Sequence, residues 1–124
     1  MREKFRKGEM GMQYIRSEEG QSYMAPGHFG GEFISKIDDT IEGNDHLTLN
    51  VSHFQPGGGC EYGSFPAAMP NLIYYVLNGQ ITVTTDTETF EMKKGDCVIW
   101  NGGDVRGFVN EGETVTDLLV IIGK

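Results

Sequence analysis

The stretch GGDVRGFVN (residues 102–110) sets one arginine, Arg106, inside a short apolar alternation. A guanidinium is permanently charged and offers five donors in a planar fork, a geometry suited to bidentate capture of a carboxylate or phosphate. Left alone in a protein interior, such a charge is costly. Three readings of Arg106 stay open. It meets an acid of its own chain, with Asp104, Glu61 and Glu32 as candidates; it holds an anionic ligand; or it is exposed, should the strand register slip by one residue. The histidines divide similarly. His53 extends an apolar face and is either a packed side chain or a ligand contact. His28 follows Pro26-Gly27 in a turn, from which it either swings over a binding site or stays solvated. His46 stands beside Asn44 and Asp45 and is expected at the surface. Cys60 has no histidine beside it in sequence and reads as a buried thiol rather than a nucleophile. No adjacent pair among His28, His53, Cys60 and Glu61 has the spacing of a known metal motif.

The elements that must position these groups are strands. HLTLNVSHF (46–54) alternates, with Leu47, Leu49, Val51 and His53 on the face expected to be buried. IYYVLNG (73–79) ends at an Asn-Gly pair and QITVTTD (80–86) follows directly, which predicts a β-hairpin at Asn78-Gly79. EFISKI (32–37), TFEM (89–92), DCVIW (96–100), VRGFV (105–109) and TVTDLLVII (114–122) complete the set. No segment sustains a 3.6-residue apolar period, so any helix is short. The chain has 18 glycines in 124 residues, about twice the ordinary share. They cluster at 30–31, 57–59 and 102–103, between alternating segments, as tight turns of an all-β domain would. Seven or eight short strands predict a sandwich or barrel.

Charge and length narrow the partners. The net charge is −8, and Lys and Arg are absent from Ile37 to Met92, so there is no basic stripe to bind a nucleic acid backbone. No run of eighteen apolar residues is present to span a membrane. The opening MREKFRKGEM has no apolar core of a secretory signal, and Cys60 and Cys97 stand alone, which together lead us to expect a cytoplasmic setting. A chain of this length forms one domain, expected as an N-terminal arm or edge strand (1–23) followed by a barrel (24–124).

Over roughly residues 24–122 the sequence resembles a small single-domain cupin. The family's second motif, G-x5-P-x-G-x2-H-x3-N, is matched in spacing by Gly95, Gly103 and Asn110; Asn101 replaces the proline and Arg106 replaces the histidine. The first motif, G-x5-H-x-H-x3/4-E-x6-G, starts at Gly57 and puts Gly63 and Phe65 at its two histidines. Its glutamate position falls at Met69 or Pro70 counting forward, and at Leu72 counting back from Gly79. APGHFGGEF (25–33) is similar to the strand entry of small cupins.

The resemblance implies a double-stranded β-helix, a jelly-roll-like barrel, with position 106 pointing into its mouth. Metal-dependent cupins use three histidines and one glutamate at positions held here by Gly63, Phe65, Met69 or Leu72, and Arg106. A guanidinium cannot ligate a cation and repels one, so neither a metal nor another cofactor is expected. The expected activity is metal-independent binding of a small anionic molecule, carboxylate- or phosphate-bearing, at Arg106. Tyr74 shares the inward parity of Leu72, and Phe65, Met69, Trp100, His53 and His28 complete the candidate site. The alternative is a small cupin enzyme (isomerase, epimerase or decarboxylase), including one with a non-standard metal site. Metal-free sugar-nucleotide epimerases of the family use a His-Asp pairing that the sequence does not reveal here. Small cupins commonly pair, and Ile73, Tyr75 and Leu77 form a second apolar face, so a homodimer is expected.

Overall fold

The structure, a computed structural model, describes residues 12–44, 46–64 and 71–123. Nine strands run in chain order: β1 (Gln21–Ser22), β2 (His28–Ile37), β3 (Leu47–Ser64), β4 (Leu72–Asn78), β5 (Gln80–Thr85), β6 (Thr89–Lys93), β7 (Cys97–Trp100), β8 (Val105–Val109) and β9 (Thr116–Gly123). All pairings are antiparallel, and no helix occurs among the described residues. The sheet order β6-β5-β8-β3-β9-β4-β7, with β2 on β3 and β1 on β2, wraps into a nearly closed barrel. The all-β class expected from the alternating segments is what the chain adopts.

β3 is the strand that makes two layers into one barrel. Its first half pairs with β9 from Leu47 to Phe54, and its last residues pair with β8 from Gly59 to Ser64. The glycine cluster at 57–59 was expected to be a turn; it lies inside this strand instead. The reason is close approach. A Cβ on Gly58 would stand 2.2 Å from the Gly30 carbonyl oxygen, and one on Gly59 would stand 2.0 Å from that of Phe108. Only bare backbone can pass between β2 and β8 at this crossing.

The Asn78-Gly79 turn is also not a hairpin. β4 pairs with β7 and β9, while β5 pairs with β6 and β8. Gly79, with φ of 85°, turns the chain over Thr116, whose Oγ1 receives the Gln80 amide at 3.1 Å and ties the corner to β9. The local signal is right about the turn, because Asn-Gly tolerates positive φ, but it cannot say whether the two strands then pair or diverge. The hairpin of this region is β5–β6, closed by Thr85 N–H to the Glu88 carbonyl at 2.8 Å.

The face of β3 is the third difference. Asn50, Ser52 and Phe54 point into the barrel, and Leu47, Leu49, Val51 and His53 lie on its outside. Since alternation has period two, choosing the more apolar face inverts every side chain when that choice is wrong. On β4 and β8 the inward parity is as expected, with Leu72, Tyr74, Val76 and Arg106 buried, and Phe108 of β8 and Leu118 and Val120 of β9 are buried with them. Val76, Ile81, Val83 and Met92 pack one end of the barrel solidly. Asn110 seals the same region, donating to the Phe54 and Thr114 carbonyls and accepting the Gly112 amide.

Candidate functional site

The other end of the barrel is hollow. A cavity of about 550 Å³ opens there, walled by residues of β3, β4, β8 and β9 and roofed by the 23–28 segment. Most of its surface is hydrocarbon and aromatic: Leu72, Phe54, Phe108, Leu118, Val120 and Ile122. A volume of this size suits a small molecule held by a few polar anchors.

Arg106 is the first polar group on the cavity wall. β8 places it opposite Gly63 of β3, where the lack of a side chain leaves room above the guanidinium. The residue is buried to 6% exposure and lines the cavity, which removes the exposed reading. Its Nη2 donates to the Tyr74 hydroxyl at 2.9 Å. Burial pushes the Tyr74 phenol up to about 12, against the opposing pull of the guanidinium, so the hydroxyl is neutral at physiological pH. The Tyr74 ring is fixed edge-on between Trp100 and Phe108, at centroid distances of 5.9 and 5.5 Å. Of the three candidate acids, Asp104 accepts the Asn101 amide in the β7–β8 turn at 2.7 Å, Glu32 is exposed on β2, and Glu61 is exposed on the cavity rim.

His28 is the second. The Pro26-Gly27 turn, closed by His28 N–H to the Ala25 carbonyl, delivers it to the start of β2. Its ring stacks on Phe54 and meets Phe33 and Phe108 edge-on, with centroids 6.2, 5.3 and 5.8 Å away. Burial lowers its pKa; the bond to Pro26 pulls the other way, and the Arg106 charge adds to the lowering. The imidazole is therefore neutral, with Nδ1–H donating to the Pro26 carbonyl at 2.9 Å. Nε2 keeps its lone pair.

Three further residues complete the polar lining, and sequence reasoning did not single them out as binding groups. Asn50, Ser52 and Tyr23 form a cluster on one wall, with Asn50 Nδ2 donating to the Tyr23 hydroxyl at 3.0 Å. Asn50 and Ser52 sit on the face of β3 read as outward, and Tyr23 in the segment read as an arm. The sequence signal that could have found them is Phe54, a large apolar residue in phase with Asn50 and Ser52. Cys60 also lines the cavity; burial raises its thiol pKa, the Arg106 charge opposes this, and Glu61 adds to it.

The remaining candidates fall elsewhere. His53 does not reach the cavity: it lies on the outer face of β3, its Nδ1 2.6 Å from Asp117 Oδ1 on β9. A His-Asp pairing thus exists, but outside the barrel, where the inverted parity of β3 puts it. Trp100 is buried core, packed against Tyr74, and borders a separate depression beside Asp104 and Glu88 rather than the cavity. Phe65 and Met69 lie outside the described residues. His46 is exposed, as expected.

The residues do not fit a divalent metal. Gly63 has no side chain, Leu72 presents only hydrocarbon, and Arg106 is cationic. Among the described residues, no three His, Cys, Asp or Glu side chains are grouped to hold one.

A hollow antiparallel barrel of this kind is the architecture that the resemblance to cupins implies. The Cupin domain family profile matches residues 50–122, and the chain belongs to that family. Solved structures share the fold at low identity. The polyketide cyclase RemF from Streptomyces resistomycificus is 22% identical with a TM-score of 0.76, covering 90% of this chain and 79% of that one. A predicted oxalate decarboxylase from Thermotoga maritima is 21% identical with a TM-score of 0.72, covering 90% and 100%. A putative sugar phosphate isomerase from Acidithiobacillus ferrooxidans is 19% identical with a TM-score of 0.69, covering 87% and 69%. No curated protein sequence matches the chain.

Proposed function

We propose that this cupin barrel binds a small anionic molecule, bearing a carboxylate or phosphate, without a metal. The observation that carries the reading is Arg106: a permanent cation on the wall of a mostly apolar cavity, oriented by the neutral Tyr74 hydroxyl. Against low-dielectric apolar walls a guanidinium and an anion attract more strongly than in bulk water, and those walls hold the rest of the ligand. Calorimetric titration with benzoate and with phenyl phosphate tests it and separates the two anion types. Arg106→Ala should weaken the better probe about 10- to 100-fold, the worth of a charged hydrogen bond. If Arg106→Ala and Arg106→Met bind both probes as the wild type does, the reading is wrong.

One observation favours a catalytic variant of the same site. His28 is a neutral imidazole with a free lone pair, in the same cavity as a cation able to stabilise a developing oxyanion. That pairing suits an isomerisation, epimerisation or decarboxylation of the bound anion, with His28 moving the proton. The structural neighbours named above are a polyketide cyclase, a predicted oxalate decarboxylase and a putative sugar phosphate isomerase.

The outer face supports a homodimer. Across β3, β9, β4 and β7, the register aligns Leu49, Ile121, Ile73 and Ile99 in one row and Val51, Leu119, Tyr75 and Cys97 in the next. Ile99 is 59% exposed and Tyr75 39%, a sheet face of the kind that a second copy covers. A reducing cytoplasm suits the two free cysteines.

A further inference from the structure

The polar cluster on the wall of β3 specifies something about the ligand beyond its charge. Asn50 is 6% exposed, and its Oδ1 has no hydrogen-bond partner among the described residues. The amide is not free to turn away. Its Nδ2 is held by the Tyr23 hydroxyl, which Ser52 engages from the same face of β3. Tyr23 in turn packs against Phe33 at 6.2 Å. Nδ2 donates to the Tyr23 hydroxyl, and Oδ1 is the acceptor left over. A buried carbonyl oxygen without a donor is costly, and a matching ligand group recovers that cost. Asn50, Tyr23, Tyr74 and Arg106 all line the same cavity.

We infer that the molecule held at Arg106 also carries a hydroxyl or amine donor that binds Asn50 Oδ1. The ligand class is then a compact, largely apolar or aromatic acid with a hydrogen-bond donor set apart from its anionic group. This rests on the reading of Arg106 as the anion site. The apolar middle follows from Phe54, Leu118 and Val120, which wall the space along with the two anchors. A site built around such an acceptor rejects analogues that lack the donor, because their binding leaves the oxygen buried and unmatched.

The test is calorimetry on the full chain with 3- and 4-hydroxybenzoate, the corresponding fluorobenzoates, benzoate and phenol. Fluorine approximates the hydroxyl in size and cannot donate. We expect one hydroxybenzoate to bind about ten-fold or more tightly than its fluoro analogue. That ratio should fall toward one in Asn50→Leu, while benzoate still binds the variant. Equal binding of each hydroxy and fluoro pair by the wild type overturns the inference, whatever Asn50→Leu does to folding, and leaves the anion site standing. If phenol binds in an Asn50-dependent way and no benzoate gains affinity from its carboxylate, the acceptor stands and the anion reading falls. Failure of every probe to bind overturns both.

Discussion

Replacing Tyr74 by Phe removes the hydroxyl that accepts from Arg106 Nη2. The ring should stay in place, because its position is set by edge-on packing on Trp100 and Phe108, and deleting the hydroxyl leaves those faces unchanged. What is lost is the 2.9 Å bond from Arg106 Nη2, in a site where both residues are almost fully buried. A hydrogen bond to a charged group contributes about 1.5–3 kcal/mol. For 124 residues the unfolding entropy near the midpoint is about 0.26 kcal/mol/K, from about 2.1 cal/mol/K per residue. The loss therefore corresponds to a drop in Tm of about 6–12 °C, measurable by scanning calorimetry. Far-ultraviolet circular dichroism should be unchanged. Affinity for benzoate or phenyl phosphate should fall, but by less than in Arg106→Ala, because the charge remains. A Tm within about 2 °C of the wild type would refute the reasoning, showing that the hydroxyl neither steadies the guanidinium nor satisfies it.

Acid should weaken the barrel through His28. Its folded pKa is lowered by burial from the ordinary 6.5, so the unfolded chain takes up a proton first, and stability present above pH 6.5 is lost as pH falls through the folded value. The slope of Tm against pH below 6.5 should be shallower in His28→Phe, whose ring can keep the contacts with Phe33, Phe54 and Phe108. Parallel slopes would remove His28 from the account. Light scattering on a sizing column should give the mass of two chains for the wild type, and Ile99→Asp together with Tyr75→Asp should shift it toward one. A wild-type monomer at micromolar concentration would end the dimer proposal.

The pattern of the sequence determined a good deal about this protein. Short alternating segments punctuated by glycine led to an all-β barrel, since such segments can bury only one face each. The resemblance to the cupin motifs implied that position 106 faces the mouth and Leu72 the interior, and the two-residue period carried that parity to Tyr74, which is buried. The all-β reading and the shared parity of Leu72 and Tyr74 rest on local rules, turn chemistry and a two-residue period, which a sequence carries in full. The structure decided the rest. On β3 both alternating faces can be buried in an assembly, so hydrophobicity alone chose the wrong one and His53 went outside with Leu49 and Val51. At Gly58 and Gly59 the glycines serve a backbone crossing rather than a turn, which depends on where β2 and β8 run. The meeting of Tyr23, Asn50, Tyr74 and Arg106 around one cavity joins residues from four distant parts of the chain. Arg106 announces itself in the sequence as a cation in an apolar strand; only the closing of the barrel supplies the phenol that holds it and the amide near it, because contacts between strands far apart in sequence are fixed by register, not by composition.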